Sequence, residues 1–149
     1  MLVFTLPDSD VVFKLIKDRF DYPKESTPGD VRRQYRLVFE HDRAGRLIEA
    51  HEFEHLRIPR ERFDPALLEA LRRDTAETVQ LDGGAVLIHH AYVERRIQPL
   101  NLFFADADAY AATAAALDYG QAVKDPAASN IVPGGRLTEN FGRTRRRRG

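Results

Sequence analysis

The sequence contains no cysteine, no tryptophan and a single methionine among 149 residues. Without cysteine the chain cannot form disulfides, thiolate zinc sites or iron–sulfur clusters, and it has no cysteine nucleophile. It also lacks any apolar run close to the roughly 18 residues that a membrane-spanning helix needs. The N-terminal stretch MLVFTLPDSD turns acidic without a basic start or a cleavage site, unlike a secretory signal. We therefore expect a cytoplasmic protein with no membrane contact.

Charges of the two signs balance, with 23 basic and 23 acidic residues, but they are unevenly distributed. Residues 143–149 read RTRRRRG and contain no acidic residue, so the preceding chain is mildly acidic. An acidic body argues against a nucleic-acid partner. We expect the basic tail 143–149 to be a solvated end of the chain.

Hydrophobic patterning and turn residues predict an α+β domain. Apolar runs at 2–6 and 11–17, separated by Pro7-Asp8-Ser9-Asp10, predict two strands joined by a turn. The ranges 28–43, 65 onward and about 106–124 are predicted helices. The first two follow the cap signals Thr27-Pro28 and Asp64-Pro65, and we expect Pro126 to end or kink the third. A turn at 82–84 precedes a strand over 85–93, and 47–58 fits helix or strand equally well.

One candidate metal site is His51-Glu52-Phe53-Glu54-His55, which matches the H-E-x-x-H pattern. On a helix this spacing places two imidazoles on one face to hold zinc, with the glutamate as a base. The segment is not a clear helix, and Pro59 follows it closely. A chance match on a charged surface is therefore the preferred interpretation. His89 and His90 are adjacent, so on a strand they point to opposite faces and cannot share a metal.

A second candidate site is centred on Lys14 in the strand sequence VVFK, which is similar to the V-A-I-K strand of protein kinases. In kinases this lysine reaches the nucleotide phosphates and pairs with a helix glutamate. The following helix carries Glu40, which is the preferred partner, with Glu49 as an alternative. The alternative is a lysine at the edge of a sheet, with its aliphatic stem along apolar surface and its ammonium in solvent. Glu94, at the end of the later strand, is expected to be solvated or paired.

A kinase catalytic loop requires Asp-x-x-x-x-Asn, in which the aspartate accepts the hydroxyl proton and the asparagine binds a metal. The matching spacing here is GRLTEN, from Gly135 to Asn140. The asparagine is present, but glycine stands at the aspartate position and has no side chain that could accept a proton.

Together, the segments VVFKLIKDRF, EHDRAGR, YVERRIQPLNLFF and NIVPGGRLTENFG resemble the isocitrate dehydrogenase kinase/phosphatase family. The resemblance implies a protein-kinase-like catalytic domain truncated at both ends, with a partial domain over 1–142. Within it, 1–97 would be N-lobe-like and 98–142 the start of a C-lobe with a catalytic-loop remnant. We expect the family's acidic metal-binding segment beyond Asn140 and its regions upstream of Met1 to be missing. Exposed apolar surface should then make the chain associate in solution.

The resemblance also implies roles for individual residues. Lys14 matches the ATP-binding lysine, with Glu40 beside it, and Asn140 matches the residue that helps to hold Mg²⁺. Glu49 falls on the aspartate that the family uses in its phosphatase reaction, and Gly135 replaces the kinase aspartate.

Two functions therefore remain open from the sequence. The first is a bifunctional protein-serine kinase and phosphatase that acts on NADP-dependent isocitrate dehydrogenase. It would control the branch between the citric acid cycle and the glyoxylate bypass. The second, favoured for this chain by Gly135, is a catalytically incompetent relative that at most binds nucleotide or protein.

Overall fold

A computed structural model describes residues 1–21, 26–41, 50–128 and 141–144 of the chain. Within these ranges the protein is a mixed α/β structure whose sheets are antiparallel. Contacts divide the chain into two units, one comprising Met1–Arg36 and Ala50–Arg95, the other Leu37–Glu49 and Arg96–Gly149. The strands of the first unit are β1 Leu2–Phe4, β2 Val11–Leu15, β3 Ala50–Pro59, β4 Val79–Asp82 and β5 Ala85–Arg95. The helices are α1 Pro28–His41, which begins in the first unit, a 3-10 helix Arg60–Arg62 and α2 Pro65–Asp74.

The first unit is built on a five-stranded sheet with β5 at its centre. The strand order is β1-β2-β5-β3, and β4 also pairs with β5. The predicted strands at 2–6 and 11–17 are confirmed as an antiparallel hairpin in which Phe4 pairs with Phe13. In the turn between them, Ser9 N–H donates to the Leu6 carbonyl over 3.2 Å. The strand predicted over 85–93 is confirmed as β5.

The apolar core of this unit lies between the sheet and α2. Leu15, Leu71 and Ile88 have no exposed surface. Burying each such side chain stabilises the fold by about 1.5–3 kcal/mol. They belong to one cluster with Phe4, Phe13 and Phe63, among others. The core therefore draws on residues that lie far apart in the sequence, from the first hairpin to the centre of β5.

Both predicted helix starts are confirmed, together with their caps. Thr27 and Asp30 form a reciprocal capping box: Asp30 N–H donates to Thr27 Oγ1 over 3.2 Å, and Thr27 N–H donates to Asp30 Oδ2 over 2.8 Å. Before α2, Asp64 Oδ1 accepts from Leu67 N–H over 2.7 Å. These side chains satisfy backbone donors that have no partner within the helix.

The segment 47–58, which fitted helix or strand, is a strand from residue 50 onward. β3 runs along β5 from Ala50 opposite Glu94 to Pro59 opposite Ala85. Most of its side chains are exposed, so its sequence carries little apolar pattern. His55 has a φ of 56°, the left-handed region that histidine enters more readily than most residues. The strand conformation of β3 depends on pairing with β5 rather than on local propensity.

The second unit contains β6 Ile97–Pro99, α3 Leu100–Asp106, α4 Ala109–Ala128 and β7 Gly142–Thr144. The alanine-rich helix is confirmed as α4, although Pro126 does not end it, since α4 continues to Ala128. Asp108 Oδ1 accepts from Ala111 N–H over 2.7 Å at its start. Strands β6 and β7 pair antiparallel, with Ile97 opposite Thr144. Among the residues described, none of the helices is both long enough and apolar enough to cross a bilayer.

Candidate functional site

Lys14 lies in the middle of β2, and its ammonium forms an ion pair with a carboxylate of the neighbouring strand. Its Nζ is 2.5 Å from Glu94 Oε2, with side chains 28% and 19% exposed. The register places Lys14 opposite Tyr92, two residues before Glu94. Side chains two residues apart on a strand share a face, so Lys14, Tyr92 and Glu94 lie on the same side of the sheet. The lysine is thus ordered, yet it retains access to solvent.

Helix α1 contacts this face of the sheet through Tyr35. The rings of Tyr35 and Tyr92 are stacked, with centroids 3.8 Å apart and an angle of 7° between their planes. The Tyr35 hydroxyl donates a hydrogen bond to the Glu94 carboxylate. Burial, together with the negative charge of Glu94, raises the pKa of Tyr35 well above its usual value. Tyr35 therefore remains a protonated donor throughout the physiological pH range.

A second pair, Glu52 and His90, borders the same tyrosines. His90 Nε2 is 2.6 Å from Glu52 Oε1, and the His90 ring meets Tyr92 edge-on at 4.9 Å between centroids. Burial and the Glu52 carboxylate raise the pKa of Tyr92, while the positive charges of Arg32 and Arg36 lower it. His90 itself is 6% exposed, so Glu52 satisfies a polar ring that would be costly to bury alone.

Strand register and helix spacing explain why these groups meet. Lys14 of β2 and Glu52 of β3 both lie opposite Tyr92, because β5 runs between these two strands. On α1, positions 32, 35 and 36 occupy one face, since residues three and four apart are neighbours on a helix. We call the resulting group the Lys14 cluster. Its members are Lys14, Tyr35, Glu52, His90, Tyr92 and Glu94.

Only part of the predicted site can be placed. Lys14 is in the cluster, but its carboxylate partner within the first unit is Glu94, which the sequence pattern did not distinguish from a solvated residue. Glu40 is an exposed residue of α1 that belongs to the second unit, so its pairing with Lys14 stays a prediction. Glu49, Gly135 and Asn140 lie outside the described residues, and their roles stay predictions too.

Residues 51–55 do not form the helix that the zinc hypothesis requires. His51 and His55 lie on β3, where the helical one-face argument does not apply. Within the ranges that the structure describes, no group of three or more histidine, aspartate or glutamate side chains could hold a metal ion. The predicted opposite orientation of the adjacent histidines is confirmed: on β5, His89 is exposed and His90 is buried.

The second unit has a cavity of about 270 Å³. It is lined by the α4 residues Asp118 and Tyr119, by Phe141 and Arg143 around β7, and by Leu100 of α3. Tyr119 meets Phe141 edge-on, with centroids 4.9 Å apart, and the Arg143 guanidinium lies 4.4 Å from the centroid of the Phe103 ring. These contacts are the packing expected where helices meet the two-stranded sheet formed by β6 and β7.

The fold and the Lys14 cluster together define a mixed α/β domain that presents an ion-paired strand lysine beneath a helix. Comparison with known proteins gives the family. The full chain, residues 1–149, matches the family model described as the isocitrate dehydrogenase kinase/phosphatase (AceK) kinase domain. The chain belongs to the isocitrate dehydrogenase kinase/phosphatase family, which confirms the resemblance inferred from its motifs.

Three relatives illustrate the similarity, each carrying the family name. The chain is 54% identical over 145 residues to a protein of Anaeromyxobacter dehalogenans, covering 97% of the chain and 25% of the relative. It is 52% identical over 148 residues to one of Xanthomonas euvesicatoria, covering 99% and 26%. It is 44% identical over 145 residues to "isocitrate dehydrogenase kinase/phosphatase 1" of Pseudoalteromonas translucida, covering 97% and 24%. The chain thus spans about a quarter of the length of these relatives.

Proposed function

We propose that the chain forms part of the nucleotide-binding region of a cytoplasmic, bifunctional protein-serine kinase and phosphatase that acts on NADP-dependent isocitrate dehydrogenase. By this activity it would control the branch between the citric acid cycle and the glyoxylate bypass. Family membership supports the proposal. The observation that supports a nucleotide site at Lys14 is its ion pair with Glu94. On this proposal the domain is kinase-like, with 1–97 as its N-lobe-like part, 98–142 as the start of a C-lobe and 143–149 as a basic tail.

The residues present suit an ATP phosphate group. Lys14 offers an ordered ammonium that is partly open to solvent. In the absence of nucleotide, the Glu94 carboxylate neutralises its charge. A phosphate oxygen can accept a charge-assisted hydrogen bond from such an ammonium. ATP would supply the phosphoryl group transferred to a serine hydroxyl. Asn140 would help to hold Mg²⁺, and Glu49 would provide the carboxylate of the phosphatase reaction.

A matched pair of lysine variants tests the binding site. We expect Lys14→Met to weaken the affinity for Mg-ATP about tenfold or more, because a charge-assisted hydrogen bond is lost. Lys17→Met is the control, since Lys17 is also 28% exposed and also ion-paired, with Asp74 at 3.1 Å. Titration with a fluorescent ATP analogue measures both variants. Equal affinities in the two would refute a phosphate-binding role for Lys14.

The alternative is a non-catalytic family member that binds nucleotide or isocitrate dehydrogenase. Gly135 favours it, because the position of the proton-accepting aspartate has no side chain. General-base catalysis contributes about 10²–10⁴-fold to rate, so we expect no detectable transfer of labelled phosphate from ATP to isocitrate dehydrogenase by this chain. A Gly135→Asp variant is assayed in parallel. Measurable transfer by the unmodified chain would exclude the alternative.

A further inference from the structure

The Glu94 carboxylate is the point at which α1 and the lysine strand meet. It receives the Lys14 ammonium from β2 and the Tyr35 hydroxyl from α1. The ring of Tyr35 is in turn held by its stack on Tyr92, which lies on β5 two residues before Glu94. One partner of the carboxylate therefore comes from a neighbouring strand of the sheet, and the other from the helix that contacts the same face of the sheet.

We propose that Tyr35 is a positioning residue for Lys14: its hydroxyl holds the Glu94 carboxylate in the orientation that the lysine ammonium requires. The helix thereby acts on the lysine through a tyrosine and a strand glutamate in series. The arrangement stands on the contacts above, whereas its value for nucleotide binding rests on the proposed function of Lys14.

Two physical arguments support this assignment. A free glutamate side chain populates many rotamers, and ordering it costs conformational entropy that a single partly exposed ion pair offsets poorly. A second, directional hydrogen bond from a hydroxyl restricts the carboxylate plane as well as its position. The stacked Tyr35 and Tyr92 rings present that hydroxyl with few degrees of freedom, since a tyrosine side chain rotates about only two bonds.

The experiment follows the four lysine ammonium groups by ¹⁵Nζ NMR in the full chain. Tyr35→Phe removes the hydroxyl but keeps the ring that stacks on Tyr92, so the helix contact is retained. We expect the Lys14 signal to shift and to show greater mobility, while the Lys17 signal, which reports the ion pair with Asp74, stays unchanged. Tyr110→Phe, at a tyrosine 88% exposed, is the matched control and should move neither signal.

A second variant tests the route through the carboxylate. We expect Glu94→Gln to alter the Lys14 signal as Tyr35→Phe does, and Tyr35→Phe to have no further effect when added to Glu94→Gln. An unchanged Lys14 signal in Tyr35→Phe would overturn the proposal. A further change in the Glu94→Gln background would also overturn it, because Tyr35 would then act by another path.

Nucleotide titration of the same samples separates this inference from the proposed function. We expect Tyr35→Phe to weaken Mg-ATP binding about threefold to tenfold, the range set by the loss of one hydrogen bond of ordinary strength. Absence of binding by the unmodified chain would refute the nucleotide site. The Lys14 signal would then still decide whether Tyr35 positions the lysine.

Discussion

Tyr35 and Tyr92 are two residues whose acidity departs from that of free tyrosine side chains. Their rings stack face to face, and burial raises the pKa of both. Each also lies near a carboxylate, Glu94 for Tyr35 and Glu52 for Tyr92, which opposes a second negative charge. The folded state therefore disfavours ionisation of both hydroxyls.

The raised pKa values predict a loss of stability in alkali. Below pH 10, the approximate pKa of an unfolded tyrosine, both states are protonated and the contribution to stability is complete. As the pH rises from about 10 toward the folded pKa values, the unfolded state releases protons that the folded state retains, so the free energy of unfolding falls. We expect Tyr35→Phe to reduce this alkaline slope.

Urea unfolding at several pH values between 8 and 12 measures the slope, and absorbance at 295 nm follows tyrosine ionisation directly. The same substitution should remove a late-titrating component from the absorbance curve. Tyr110→Phe, which changes an exposed ring, serves as the control. An alkaline slope identical in Tyr35→Phe and the unmodified chain would show that the raised pKa of Tyr35 does not contribute.

Among the elements, those with local chemical signals were predictable from the sequence and the others were not. The caps of α1 and α2 and the hairpin β1–β2 depend on residues within a few positions of one another, and their predictions are confirmed. Strand β3 depends on pairing with β5, from Ala50 opposite Glu94 to Pro59 opposite Ala85, and its exposed side chains show no decisive period. The short strand β4 was not predicted for the same reason, since it too pairs with β5.

The candidate site divides in the same way. Lys14 was found because the strand sequence VVFK is similar to the V-A-I-K strand of protein kinases, a signal contained within four residues. Glu94, Tyr35 and His90 were not assigned, because only the register of β2 and β3 on β5 and the place of α1 bring them to Lys14. Partners across a sheet are set by register, which a short sequence window does not contain.

The turn between β4 and β5 provides a matched pair of glycines for a test at this scale. Gly83 has a φ of +51°, in the left-handed region, whereas the φ of Gly84 lies outside that region. A Cβ added at either glycine would meet no other atom within 4 Å. We expect Gly83→Ala to destabilise the first unit by about 1 kcal/mol, because alanine is strained at positive φ. Gly84→Ala should be neutral or slightly stabilising. Equal shifts of the urea midpoint in the two variants would contradict the conformational argument.

The second unit exposes apolar side chains to solvent, which bears on the behaviour of the whole molecule in solution. Tyr110 and Leu117 of α4 are 88% and 72% exposed, and Leu102 of α3 is 56% exposed. Tyr110 and Leu117 are seven residues apart, so they lie on one face of α4. Scattered apolar side chains are common on protein surfaces, whereas several on one helix face form a surface that favours association.

We therefore predict that the chain self-associates in a concentration-dependent manner through this face of α4. Replacing Tyr110 and Leu117 together by glutamine should weaken association roughly tenfold or more, because each apolar side chain contributes about 1.5–3 kcal/mol when it is buried. Glu61→Gln, an exposed change in the 3-10 helix of the first unit, should leave association unaltered. Sedimentation equilibrium over a wide range of protein concentration distinguishes these outcomes. A chain that stays monomeric throughout that range would refute the prediction, and association that persists in the double variant would place the contact on another surface.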